Sequence, residues 1–289
     1  MPVLERLAQM LPERFRRGGP PIPVVRLAGA IGVGTPLRPA LTLAGVAEPL
    51  ERAFSMKGAA AVAIVVNSPG GSPVQSHLIH RRIRHLAGEK KLPVIAYLED
   101  VAASGGYMIA CAADEIVADP SSIVGSIGVV SASFGFDRLI ERWGVERRVH
   151  TAGTRKSILD PFRPEQPEDV EHLLSIQREV HRGFIDLVKA RRGEHLADDE
   201  ELFSGLFWTG ERARSLGLVD RLGDLKTDLA ARFGPKAKPR LVAAERGLLR
   251  RRLPGLATLA AGAEAAPLVS ADEALAAVEV RALYARYGL

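Results

Sequence analysis

Three glycine-punctuated segments carry the residues whose types and spacing suit nucleophilic chemistry. Asn67-Ser68-Pro69-Gly70-Gly71-Ser72 directly follows an apolar run. Its paired glycines let a backbone approach a ligand closely and leave amide N–H groups pointing outward, although a plain strand-to-helix turn uses the same residues. In Ala102-Ala103-Ser104-Gly105-Gly106-Tyr107 one hydroxyl, Ser104, sits among small residues at a helix start. A serine there is commonly an N-cap, but a helix start also favours developing negative charge. Ser104 followed by glycine can present its own nucleophile beside an amide donor, in the manner of a nucleophile elbow, although G-x-S-x-G is absent. Gly153-Thr154-Arg155-Lys156-Ser157 lies ahead of Asp160-Pro161-Phe162. A serine needs a base to attack at neutral pH, and no local pattern singles out any of the 7 histidines. A lysine serves where burial makes its charged form costly. Each segment alone is an ordinary turn or solvated loop; together they set a serine against a lysine.

The elements that must position these residues follow from apolar patterning. Ile22–Leu27, the continuous apolar run Ala59–Val66 and Pro93–Leu98 read as strands, the second fully buried in a parallel sheet. Helices are expected over 41–54, over 73–87 with Leu78, Ile79, Ile83 and Leu86 inward, from Ser104 to Ala113, and around Leu139, Ile140 and Trp143. A long helix covers 167–192, and shorter ones 198–204, 210–216 and 224–233. Short strands are expected near 115–118, 127–131 and 145–149. Strands alternating with helices imply an α/β class with a mainly parallel sheet.

Composition narrows the alternatives. The 289 residues, 47% apolar and 25% charged, suit a globular chain with ample core. The single cysteine, Cys111, excludes an intramolecular disulfide framework and a cysteine zinc cage. The net charge of +5 lies in one place: residues 236–252 hold seven basic side chains against Glu245 alone. No aromatic residues interleave those charges, so nucleic acid is not expected as a partner. No apolar run approaches the ~20 residues of a bilayer-spanning helix, and Glu5, Arg6, Glu13 and Arg14 interrupt any signal-peptide apolar region. Leu4, Leu7, Met10, Leu11 and Phe15 fall near helical spacing. That amphipathic segment and the basic stretch are the two candidates for peripheral membrane contact. The expected organisation is an N-terminal amphipathic segment and linker over 1–21, a catalytic domain over 22–234 and a basic, Ala-rich extension over 235–289.

The sequence resembles the signal peptide peptidase A family, serine–lysine proteases related in fold to the ClpP and crotonase superfamily. The resemblance runs from about Ile64 to Gly234. It is carried by NSPGGS at 67–72, AASGGYMIACAAD at 102–114, GSIGV at 125–129 and GTRKSILDPFRP at 153–164, and extended by RGFIDLVKARRG at 182–193 and SLGLVDRLG at 215–223. It implies a ClpP/crotonase-like fold of repeated β-β-α units. It also implies Ser104 as nucleophile, Lys156 as general base, Ser126 as the hydroxyl orienting the lysine, and the Gly71 and Gly105 N–H groups as the oxyanion hole. No cofactor and no metal are implied.

Two departures shape the expectations. The family's N-terminal membrane anchor is not seen, so a cytoplasmic chain, peripheral at the inner membrane, is expected. The chain also holds one protease-like unit rather than two. Since serine and lysine can come from different units in the family, a homo-oligomer with sites shared between protomers is expected. The leading function is a serine endopeptidase acting on signal-peptide remnants or other unfolded peptides. It would work without ATP, since no G-x-x-x-x-G-K-[ST] pattern occurs. The alternatives are a crotonase-like acyl-CoA hydratase or isomerase, which would use Gly71 and Gly105 but not the serine–lysine set, and a non-catalytic scaffold of the same fold.

Overall fold

A computed structural model describes residues 19–35, 39–243 and 271–289. The expected N-terminal amphipathic helix and most of the basic segment lie outside the described residues.

The core is an eight-stranded sheet built on β1 (Pro21–Ala28), β2 (Val62–Ser68) and β3 (Val94–Ala103). These three run parallel, β1 beside β2 and β2 beside β3. Side chains alternate across the pleat. Ile64, Val66, Ala96 and Leu98 face one cluster with α1 (Leu43–Phe54), α2 (Pro73–Lys90) and α3 (Gly105–Ala110). Ala63, Val65, Ile95 and Tyr97 face a second cluster containing Leu229 of α7 (Leu225–Phe233). Both faces are therefore covered, and β2 reads as an uninterrupted apolar run because a parallel strand of this kind has no solvated side.

The far end of β3 changes partners. Its first half pairs with β4 (Glu115–Ala118), its last three residues with β5 (Ile123–Gly125). The register against β2 shifts as well: Val66 lies opposite Leu98, but Ser68 lies opposite Ala102. This irregularity brings the end of β3 beside the turn after β2, at the carboxyl edge where open α/β sheets carry their sites.

The chain continues through α4 (Asp137–Arg142), α5 (Pro167–Arg192), β6 (Phe207–Thr209), α6 (Gly210–Ser215), β7 (Arg221–Leu222) and α7. β6 pairs antiparallel with β5 and β7 parallel with β4. β8 (Lys238–Leu241), the start of the basic extension, joins the main sheet parallel to β1. α8 (Ala271–Ala285) lies in the Ala-rich end.

Two expected strands are corrected. The stretch 127–131 is not a strand, because Gly125 (φ 111°) and Ser126 (φ 52°) turn the chain out of the sheet. The stretch 145–149 is not one either: the Val145 N–H donates to Ile140 O at 2.9 Å, closing the end of α4, and its side chain is exposed.

Candidate active site

Ser104 stands between the end of β3 and α3, with φ 51° and ψ −122°. A non-glycine residue held there stores backbone strain of about 1–3 kcal/mol, so its surroundings must fix it. The Ser104 N–H donates to Gly125 O at 2.8 Å, and the Met108 N–H to Ser104 O at 3.0 Å. Although Ser104 occupies the N-cap position of α3, its hydroxyl makes no capping bond. The cap reading of this serine therefore fails, and the hydroxyl is left for another partner.

The turn after β2 is pressed against that elbow. Gly70 (φ 100°) has no room for a side chain: a Cβ would lie 2.8 Å from Ser104 Cβ and 3.0 Å from Ala103 O and the Gly105 nitrogen. Ile31 threads the turn, its N–H donating to Gly70 O and its carbonyl accepting from Ser72 N–H, both at 2.8 Å. Among the described residues neither the Gly71 N–H nor the Gly105 N–H donates to another group of the chain. Two amide donors from facing turns thus have no acceptor among the described residues.

Several residues that the sequence reading passed over hold this arrangement. Ser68 Oγ accepts the Gly70 N–H at 3.2 Å, inside a fully buried site. Buried Ser76 fills the space beside Gly105, where a Cβ would lie 2.2 Å from Ser76 Oγ. The Tyr107 hydroxyl donates to Leu218 O at 2.9 Å, anchoring α3 to the loop before β7. Arg192, 4% exposed, forms a fork on Asp220 at 2.8 and 3.0 Å and donates to Gly217 O at 3.0 Å. Burial raises the Asp220 carboxyl, but Arg192 and the Ile116 N–H outweigh it and hold the group below its ordinary range. The 182–193 and 215–223 motifs therefore brace the elbow's helix from behind. The pairing of two such motifs in one sequence was the available signal.

Ser126 is 4% exposed, on the turn that leaves β5. Its N–H donates to Leu206 O at 2.7 Å, and its hydroxyl is hydrogen-bonded at 3.2 Å to Tyr287, beyond α8. No local pattern pointed to Tyr287.

Lys156 is exposed, on a separately braced loop. Arg147 Nε meets Asp160 at 2.8 Å, Arg155 meets Asp169 at 3.1 Å, and the Arg147 guanidinium lies over Phe162 at 4.8 Å. Arg147 and the Phe162 N–H hold the Asp160 carboxyl below its usual range. Among the described residues of one chain, no hydrogen bond joins Lys156 to Ser104 or Ser126. The structure thus sets Ser104 and Gly105 against Gly70, the neighbour of Gly71, and leaves Lys156 exposed. No cluster of metal-ligating side chains occurs among the described residues.

A mostly parallel sheet covered on both faces, with a strained serine at its carboxyl edge, is an α/β fold. The model of peptidase family S49 matches residues 87–233, and the chain belongs to that family. It is 57% identical over 286 residues to a Na(+)/H(+) antiporter NhaA of Brucella abortus, matching 98% of this chain and 39% of that protein. It is 36% identical to the chloroplastic serine protease SPPA of Arabidopsis thaliana, over 72% of this chain and 31% of that one. It is 35% identical to protease 4 of Salmonella typhi, over 62% and 28%. The chain spans about two fifths of the Brucella relative's length.

Proposed function

We propose that the chain is a serine endopeptidase in which Ser104 and Lys156 form the catalytic pair. The observation that carries this reading is the elbow itself: a strained Ser104 with an uncapped hydroxyl, set against Gly70, with the Gly71 and Gly105 amides lacking an acceptor among the described residues. Ser104 Oγ attacks the peptide carbonyl carbon as its proton passes to the Lys156 amine. The carbonyl oxygen, now anionic, is held by the two amides, where such donors act most strongly. The C–N bond breaks as Lys156 returns the proton to the leaving amine, and water then hydrolyses the acyl-enzyme with Lys156 again as base. Ser126 orients the lysine. Substrates are unfolded peptides, signal-peptide remnants among them, and no ATP is used. The residues from 22 to 234 act as the catalytic domain.

The lysine comes from a second protomer. Lys156 is exposed on a stiffened loop, and the same region exposes Phe134 at 80%, Trp143 at 72% and Val130 at 63%. An apolar surface of that kind suits an interface between copies. No helix among the described residues is long and apolar enough to cross a membrane. A close relative of this chain lies within a larger protein named as an antiporter, which supports work at a membrane surface.

The test is cleavage of a quenched Ala/Leu-rich peptide by wild type, Ser104→Ala and Lys156→Ala. Each variant is expected to lose at least about 1,000-fold in kcat, and their losses should not add, because the two residues act as one unit. Cleavage by Lys156→Ala at the wild-type rate would discard the pair.

A further inference from the structure

Ser126 is a buried hydroxyl, and buried polar groups are hydrogen-bonded. Its hydroxyl partner among the described residues is the Tyr287 hydroxyl, at 3.2 Å. That hydroxyl also reaches Pro69 O at 3.3 Å, on the turn that ends in Gly70 and Gly71. Tyr287 is itself 7% exposed, packed with Val101 and Ala103 of β3 and meeting Phe207 edge-on with ring centroids 5.0 Å apart. Its position is thus set by packing, and its hydroxyl bridges two loops of the site.

Donor counting gives that bridge a direction. A tyrosine hydroxyl carries one proton, and a proline carbonyl can only accept. With the Tyr287 proton directed to Pro69 O, the Tyr287 oxygen accepts the Ser126 proton. The Ser126 oxygen is then left with lone pairs alone, so toward an incoming amine it can act only as an acceptor. An amine that donates an N–H to Ser126 keeps its own lone pair free for the Ser104 proton. A Ser126 free to rotate could instead donate to that lone pair and block it.

We infer that Tyr287 is a positioning residue of the active site, which acts through Ser126 by fixing that hydroxyl as an acceptor toward the base. This inference rests on the reading of Ser104, Ser126 and Lys156 given above. It assigns a role to the chain's C-terminal segment, which lies outside the region matched by the family model.

The experiment is a double-mutant cycle on the full chain, with kcat and KM measured for wild type, Tyr287→Phe, Ser126→Ala and the double variant on the quenched peptide. Phenylalanine keeps the ring against Phe207 and removes the hydroxyl alone. Tyr287→Phe should lower kcat about 10-fold with KM changed less than twofold, and should cost nothing further on the Ser126→Ala background. Thermal midpoints of all four proteins separate this from damage to the fold. Equal losses on both backgrounds would make Tyr287 a structural residue and overturn the inference. So would a rise in kcat for Tyr287→Phe, which would make the C-terminal segment a plug. Ser104→Ala run in parallel keeps the two readings apart: if it stays active, the proposed function fails independently of Tyr287.

Discussion

Ser104 stands where a side chain on Gly70 would have to go. A Cβ added to Gly70 would lie 2.8 Å from Ser104 Cβ, so the turn after β2 and the elbow after β3 fit only because that position is bare.

Gly70→Ala should therefore act on chemistry as well as on stability. The φ of 100° is costly for any residue with a Cβ, and relief of the clash must displace Ser104 or the Gly71 amide. The expected result is a loss of about 1–3 kcal/mol in unfolding free energy and at least a 100-fold fall in kcat. Retention of wild-type kcat would mean that the turn does not set the serine's position.

Removing one partner of the buried Arg192–Asp220 pair leaves the other charge unpaired, which typically costs 3–5 kcal/mol. Arg192→Leu should lower the unfolding free energy, measured by urea titration, by ~3 kcal/mol or more. A change under about 1 kcal/mol would show that the 182–193 and 215–223 motifs do not brace α3.

His80 predicts an acid-sensitive stability. It is buried in α2, and among the described residues neither ring nitrogen has a hydrogen-bond partner of good geometry. Burial, with Arg191, His77 and Arg84 nearby, lowers its pKa to about 4. The unfolded chain binds a proton from pH ~6.5 downward that the folded chain refuses until about pH 4. Stability from this group is therefore full above 6.5 and falls as the pH drops through that window. Across it, wild type should lose on the order of 3 kcal/mol more than His80→Leu. Parallel losses in the two proteins, followed by urea unfolding at each pH, would remove His80 from the account.

Much of this was readable from local pattern, and the exceptions have physical causes. The apolar run of β2 and the helix at 167–192 follow from periodicity alone. In α2, Ile79, Ile83 and Leu86 are buried as expected, but Leu78 is 36% exposed, because it sits one residue off that helical stripe. β3 runs past Leu98 to Ala103 despite Glu99 and Asp100. Those charges are met by Arg26 and by the Asn67 amide, which donates to Asp100 at 2.7 Å. Tyr287 meets Ser126 across 161 residues of chain, a contact that no local spacing announces.

If protomers share the site, inactive Ser104→Ala and Lys156→Ala chains should restore activity when co-assembled, since some interfaces then pair an intact serine with a neighbour's intact lysine. Head-to-tail contacts that close into a ring generate such interfaces. Peptide cleavage by verified mixed oligomers is the measurement. No recovery would place both residues in one protomer.

The most direct test of Ser104 as an activated nucleophile is covalent. The chain is treated with a fluorophosphonate, and intact mass and peptide mapping follow the adduct over time. One phosphonyl group per chain is expected, on Ser104, absent from Ser104→Ala and formed at least ~100-fold more slowly in Lys156→Ala. Labelling of Ser104→Ala at the wild-type rate, or of Lys156→Ala at the wild-type rate, would contradict Ser104 as the activated nucleophile.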